Sequence, residues 1–445
     1  MGGEEQSSRI FDNLLFPKIF QTFRTAIQPT KLIIALIALA VICLAGWIMD
    51  LTKTVAATPG TQGEVTELQI YITHPDQVHS YIEAHKGNID RRGVFSTLWD
   101  FTAVRFKDAI NSLFAFNLPR VATNIAECFK AAGWALRYHY IYSIIFFVIN
   151  LAVISIAGGA ICRIAALQFA RGEKPGSTEA LRFSTKKFLS FLTAPIAPVC
   201  IIIFIGLFIF LLGLIGNIPR VGELIMGIFM LLALLAGALI AIVLIETVAG
   251  FNLMFPAIVY DGSDCFDAIS RSFSYVYSKP WQMGFYTTIA AVYGVICYTF
   301  VRFFAFLLLW SARWFLQLGV WADSSSKEVN KLAAIWPVPT FVDLYNSSGL
   351  AAANWSESIA AFLVYLVSLL VIGLVVSFII SFYFSANTII YSLMRKKVDN
   401  TALDDIYTPS DEAKTEATTA ESKPEETRPQ PESDTSPQSP ASKQQ

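Results

Sequence analysis

Six long apolar runs interrupt the polar stretches of this chain: Leu32 to Met49, Tyr140 to Cys162, Ile196 to Gly216, Leu224 to Tyr260, Trp281 to Trp310 and Ile359 to Met394. A helix rises about 1.5 Å per residue, so about 20 apolar residues cover a hydrocarbon core of roughly 30 Å, and a helix satisfies its own backbone hydrogen bonds there. The pattern predicts an all-α fold, a polytopic bundle of about six transmembrane helices. The first run begins too far from Met1 and continues too long for a cleavable leader, and it reads as a retained anchor.

The connections carry shorter periodicities. In the segment 52–139, Leu68, Ile70 and Ile72 alternate with Gln69, Tyr71 and Thr73, which predicts a strand, and Pro75 then opens a helix through Ile82. Trp99, Ala103, Phe106, Ile110 and Leu113 form one helical stripe, ended by Pro119. Val121, Ile125, Phe129, Ala132 and Leu136 form another that leads into the second span. These amphipathic helices suit a membrane interface, with Trp134, Tyr138 and Tyr140 at headgroup depth. The connection 311–358 is rich in Trp and Pro, should pack beside the first as a cap, and holds two formal glycosylation sequons at Asn346 and Asn354. From Ser410 onward the chain is Thr, Ser, Pro, Glu and Lys without an aromatic residue, a composition expected to stay disordered. The organisation expected is a segment 1–31, a first span 32–51, an external segment 52–139, a five-span bundle 140–394 and a tail 395–445.

Composition agrees with a membrane class: 54% of residues are hydrophobic and 15% charged, which sets aside an ordinary soluble enzyme. The net charge of -1 conceals strong segregation. Arg9, Lys18, Arg24 and Lys31 precede the first span, a basic loop with Arg163, Arg171, Lys174, Arg182, Lys186 and Lys187 follows the second, and Arg395, Lys396 and Lys397 follow the sixth. By the positive-inside rule both termini are expected to be cytoplasmic. Arg182, Lys186, Lys187, Arg395, Lys396 and Lys397 are placed to meet anionic lipid, and the bilayer is the expected partner. The six cysteines are scattered without a CxxC pair and read as small apolar packers.

Two loops on the basic side share a pattern. Glu179-Ala180-Leu181 precedes Ser184, Phe188 and Ser190, and Asp267-Ala268-Ile269 precedes Ser272, Val276 and Ser278 at the same spacing. Each copy reads as a span, a turn, a short amphipathic helix and a returning span, the pattern expected of an internal duplication. Glu179 and Asp267 suit the positive end of a helix, and Asp267 stands one turn from Arg271, the spacing of an exposed ion pair.

The stretch Pro256-Ala257-Ile258-Val259, then Asp267-Ala268-Ile269-Ser270-Arg271-Ser272 and Pro280-Trp281, resembles a signature of uncharacterised multi-pass bacterial membrane proteins. These are related in pattern to the membrane domain that accompanies some glycerophosphodiester phosphodiesterases. The ending Tyr391-Ser392-Leu393-Met394-Arg395-Lys396-Lys397-Val398-Asp399, with Asp404-Asp405-Ile406-Tyr407, is similar to planctomycete-type members. The resemblance implies a helical membrane domain and brings no catalytic residues with it. No phosphodiesterase barrel can be traced in this chain.

Candidate chemistry is sparse. Glu246 is the acid deep within a span, about two turns from Asn252, and the two form the candidate intramembrane polar site. Arg302 falls toward the other end of its span, too far for a pair with Glu246, and is expected to reach headgroups. Ala233, Gly237 and Ala241, like Ser155 and Gly159, recur at the four-residue spacing that lets helices approach. The histidines His74, His79, His85 and His139 lack the spacing of a zinc site, and there is no Walker loop, dinucleotide motif, nucleophile elbow or basic aromatic patch for nucleic acid. No metal, cofactor or enzymatic activity is expected. The leading expectation is an accessory, scaffold or envelope-maintenance protein, and the rival is a small transporter or channel using Glu246.

Overall fold

The computed structural model describes residues 15–60, 63–85, 91–324, 330–345 and 354–408. The sequon at Asn346 and the tail from Ser410 lie outside the described residues. The chain divides into a body, 1–406, and a second unit, 407–445. Among the described residues six helices are long and apolar enough to cross a bilayer, and the protein is an all-α, multi-pass membrane protein.

A 3-10 turn at Phe16–Phe20 and helix α1 (Gln21–Ala26) precede the first span, α2 (Pro29–Met49). A loop-side region follows: strands β1 (Val55–Gly60) and β2 (Gly63–Thr66), helices α3 (Glu67–Thr73) and α4 (Val78–Ala84), strand β3 (Arg91–Arg92), and a helical hairpin of α5 (Val94–Phe114) and α6 (Leu118–Tyr138). The second span is α7 (Tyr140–Arg171). Short helices α8 (Ser177–Lys186) and α9 (Phe188–Thr193) lead into the third span, α10 (Ala197–Gly216). Helix α11 (Val221–Ile228) precedes the fourth, α12 (Met230–Asp261); then come α13 (Cys265–Ser278), the fifth span α14 (Pro280–Gly319), α15 (Lys331–Ile335) and the sixth span α16 (Trp355–Asp399). The apolar run that begins at Leu224 is therefore broken at Phe229 into two helices, and the fourth span starts six residues later than the run does.

Both described ends lie on one side. The Tyr293 hydroxyl donates to the Phe20 carbonyl at 3.0 Å, Ser381 donates to the Ala26 carbonyl at 2.7 Å, and Lys279 Nζ donates to the Lys397 carbonyl at 2.7 Å. The main core lies on this terminal side, built from the last turns of α7, α12 and α16 together with α13, the start of α14 and the N-terminal turns. Ile406 is buried in it. Arg171 holds the carbonyls of Asp404 and Ile406, and Arg395 holds Asp405, so residues 400–406 form a strap across the bundle end. By contrast, burial in α12 begins only at Gly250, and the most apolar stretch of α10 buries no residue. These two helices pack on one another and otherwise offer apolar side chains outward. Lipid solvates such a surface as readily as another helix would.

On the loop side the predicted strand at Leu68 to Thr73 is a helix. Thr66 and Gln69 form a reciprocal capping box over the first turn of α3, and Leu68 turns into a cluster with Val55, Val94 and Trp134. Alternation over six residues cannot exclude a short helix, and the cap decides it. The strands lie nearby instead, as a three-stranded antiparallel sheet ordered β2-β1-β3 with Ala57 opposite Thr66 and Val55 opposite Arg92. Trp134, expected at headgroup depth, is fully buried in this cluster because α6 packs against α3 and α5, with Val55 of β1 beside it. Asp50 ends the first span and caps α5, accepting from the amides of Phe95 at 2.9 Å and Ser96 at 2.7 Å. Helix α5 stops at Phe114, before Pro119 is reached, and Phe116 takes a φ of 54° at the hairpin tip.

The two long connections meet, as their aromatic content suggested. Lys107 Nζ lies 2.6 Å from Asp343 Oδ2, and Phe114 packs edge-on against Phe341. Arg302 does not reach outward. It is 8% exposed, with Nε donating to the Phe341 carbonyl at 2.9 Å, Nη2 to the Val342 carbonyl at 2.6 Å and Nη1 to the Tyr298 hydroxyl at 2.8 Å. The loop folds over the helix and offers carbonyls before the guanidinium can reach water.

Candidate functional site

Helices α14 and α16 cross the body side by side, and small residues set the space between them. At Gly294 an added Cβ would stand 2.8 Å from the Phe382 ring, so the two helices meet closely there. Around that contact Ala290, Ala291 and Ala386 leave a groove of about 410 Å³. This falls within the roughly 300–1,000 Å³ range of small-molecule sites. The groove runs from Thr287 to Tyr298 along α14, about 16 Å at 1.5 Å per residue. Phe106 of α5 and the Tyr298 ring close its loop-side end, and Phe378, Phe382 and Ile390 supply apolar walls.

Its polar groups gather in the terminal-side half. Asn252 lines the groove from α12, and Tyr383 of α16 donates a hydrogen bond to Asn252 Oδ1. Asn387, one turn further along α16, is 6% exposed and lines the same space without a hydrogen-bond partner among the described residues. Thr287 completes the set. Among the described residues, no Asp, Glu, Lys, Arg or His lines the groove. An apolar trough with a few uncharged hydrogen-bonding groups at one end can orient an amphiphile.

The structure separates the two residues of the expected polar site. Asn252 belongs to the groove. Glu246, half-buried on α12, is not among the groove's lining residues and has neither a hydrogen bond nor an ion pair among the described residues. The residues that join Asn252 are Tyr383, Asn387 and Thr287. They escaped the sequence reading because each is uncharged and lies in a predominantly apolar helix. A polar residue about one turn from another, as Tyr383 is from Asn387, is the weak signal that was present.

The repeat-helix residues lie at the other polar centre, on the terminal side. Glu179 and Asp267 both sit exposed in the first turns of their helices, α8 and α13. The Asp264 carboxylate accepts from the Asp267 amide at 3.0 Å, as capping chemistry demands. Arg271 does not pair with Asp267. Its Nη1 lies 3.6 Å from Asp261 Oδ1, and Arg395 Nη2 lies 3.3 Å from the same oxygen, because the chain turns back at Gly262 and brings the end of α12 against α13. Tyr391 donates to Asp261 Oδ2, and Tyr275 donates to Asp399. Burial pushes the Tyr275 phenol up, and Asp399 pushes it further, so it stays protonated and donating at neutral pH.

Of the matched positions in the two loops, Ala180 and Ala268, and Ser184 and Ser272, are fully buried, whereas Ser190 is half-buried and Ser278 exposed. Gly172 and Gly262 both end their long helices with positive φ. At Gly159 an added Cβ would lie 2.5 Å from Ser184 Oγ, in keeping with small-residue packing, whereas at Gly237 it would meet open space. The Ala233, Gly237, Ala241 series therefore does not mark a helix seam at its central residue. Of the basic residues expected at anionic lipid, Arg182, Lys186 and Lys396 are exposed, but Lys187 donates to the Gly262 carbonyl at 2.7 Å and Arg395 is held by Asp261 and Asp405. Their basic spacing is unchanged, but the fold turns these two inward to satisfy a helix end and a buried acid. Comparison with known proteins finds no matching family model, no matching curated protein and no matching solved structure.

Proposed function

We propose that this protein is a non-enzymatic accessory or scaffold component of a bacterial inner membrane, with both termini cytoplasmic, and that its working part is the groove between α14 and α16. The groove receives an apolar chain drawn sideways from the bilayer. The observation that carries this reading is an apolar space of about 410 Å³ within the spans, lined by Ala290, Ala291, Gly294 and Ala386 and carrying no charged side chain. The orientation draws support from the side shared by both described ends, which also carries Arg171, Lys174, Arg182, Lys186 and Lys187 and the Arg395 to Lys397 cluster; Arg163, expected in the same basic loop, is instead buried within α7.

The test fills the groove. Ala291 is exposed at its edge, so Ala291→Trp occupies the space without disturbing the buried core. Native mass spectrometry after detergent exchange is expected to show lipid retained by the wild-type protein and lost from Ala291→Trp. Equal retention by both, or none by either, overturns the reading.

One observation favours transport as a second reading: Glu246, placed within a span, has no partner among the described residues. In reconstituted vesicles a transporter would show flux that Glu246→Gln abolishes. Flux unchanged by that substitution removes Glu246 from any such role.

A further inference from the structure

The same groove also carries information about the polar end of its occupant. Resting on the groove as the seat of an apolar chain, we infer that its ligand is a lipid with an uncharged, hydrogen-bonding polar end, of the acylglycerol class. The hydroxyl and ester groups of that end sit at Asn387 and Asn252, and the chain runs toward Tyr298 and Phe106.

Asn387 is the first reason. It is more than nine-tenths buried, faces the groove and has no hydrogen-bond partner among the described residues, although its amide offers two donors and a carbonyl acceptor. Buried polar groups in folded proteins find partners, and one left open toward a ligand-sized space is satisfied by what enters that space. Asn252 is the second. Tyr383 occupies its carbonyl oxygen, which leaves the Asn252 amide N–H groups to donate toward the same region. Together the two asparagines present donors for an ester carbonyl or a hydroxyl oxygen and an acceptor for a hydroxyl hydrogen.

Charge decides between lipid classes. A phosphate, carboxylate or ammonium drawn to Asn387 would leave water for an apolar site without a counter-charge, since the lining holds no Lys, Arg, His, Asp or Glu. The nearest buried cation on α14, Arg302, stands one turn beyond Tyr298, at the opposite end, with its donors on Phe341, Val342 and Tyr298. An uncharged acylglycerol has no such charge to desolvate and can lie deeper than the headgroup layer.

Three photoactivatable probes with the same diazirine-bearing chain test this on the full-length protein in nanodiscs: a monoacylglycerol, the free fatty acid and the lysophosphatidic acid. Mapped crosslinks on Ala290 to Tyr298 of α14 and Phe378 to Ile390 of α16 report groove occupancy. The monoacylglycerol is expected to label these segments roughly tenfold more than either charged probe, and Asn387→Leu to remove most of that preference. Asn252→Leu, at a half-buried position, tests the same preference should Asn387→Leu fail to fold. Equal labelling by all three probes, or a preference that survives in a folded Asn387 or Asn252 variant, overturns the inference while leaving the groove as a chain-binding site. Absence of groove crosslinks with every probe overturns both.

Discussion

Tyr391, in the last turns of α16, donates its phenolic hydrogen to the carboxylate of Asp261, the final residue of α12. The two residues are 130 positions apart in the chain, and their contact ties the fourth span to the sixth. Arg395 and Arg271 approach the other oxygen of the same carboxylate, so one acid gathers α12, α13 and α16 on the terminal side. A hydrogen bond to a charged group contributes about 1.5–3 kcal/mol, and removing one partner of a buried charge pair costs about 3–5 kcal/mol.

Tyr391→Phe is therefore expected to lower stability by about 2 kcal/mol, and Asp261→Asn by more, because the second change removes the charge that Arg271 and Arg395 share and leaves Arg395 with Asp405 alone. Thermal scans of the purified protein at a single fixed rate rank the two. Equal midpoints for wild type and Asp261→Asn would show that the carboxylate does not join these helices.

Arg302 holds the loop-side connection through two main-chain carbonyls. Arg302→Met keeps the length of the side chain but removes every donor, at a cost of about 2–4 kcal/mol. Hydrogen exchange of the segment 336–345 is expected to accelerate by at least tenfold, with exchange in α13 unchanged. Uniform acceleration across the protein would instead mean that Arg302 supports the whole bundle.

Glu67 is 2% exposed and joins three pieces of the loop-side region. Its Oε1 accepts from the Ala56 amide at 2.6 Å, and its Oε2 lies 3.2 Å from His139 Nε2. Glu67→Ala is expected to cost about 2 kcal/mol and to expose the β1 amides to exchange. If β1 keeps its protection, the sheet is held by its strand pairing alone.

Gly159 and Gly237 should respond in opposite ways to the same substitution. A methyl group at position 159 meets Ser184 and Phe191, so Gly159→Ala is expected to destabilise by about 1–3 kcal/mol as α8 and α9 are pushed off α7. At Gly237 nothing lies within 4 Å, and alanine favours a helix over glycine by about 1 kcal/mol. Midpoints that move the same way for both would contradict the packing described.

Much of the terminal side could be read from local pattern. The turn and short amphipathic helix expected after the fourth span are found at Gly262 and in α13, and Asp267 lies in that helix's first turn as its charge suggests. The Asp267 to Arg271 pair was the natural choice at that spacing. It lost to Asp261 because an exposed pair is worth only about 0.3–0.5 kcal/mol, whereas Asp261 is a half-enclosed acid with several donors around it. Arg302 was misread for a related reason: its place in the span was visible, but the loop that folds over it was not.

Length and apolarity of the six runs determined that this chain is a helical membrane protein with its ends on one side, because a bilayer admits few other ways to satisfy twenty consecutive backbone amides. Only the tertiary structure decided which polar residues meet. Thr287, Tyr383 and Asn387 join Asn252, and Glu246 does not, because helical spacing sets the face a residue occupies but not the helix that face will meet. Within lipid, where apolar faces gain little from choosing one apolar neighbour over another, close contacts such as Gly294 on Phe382 make that choice.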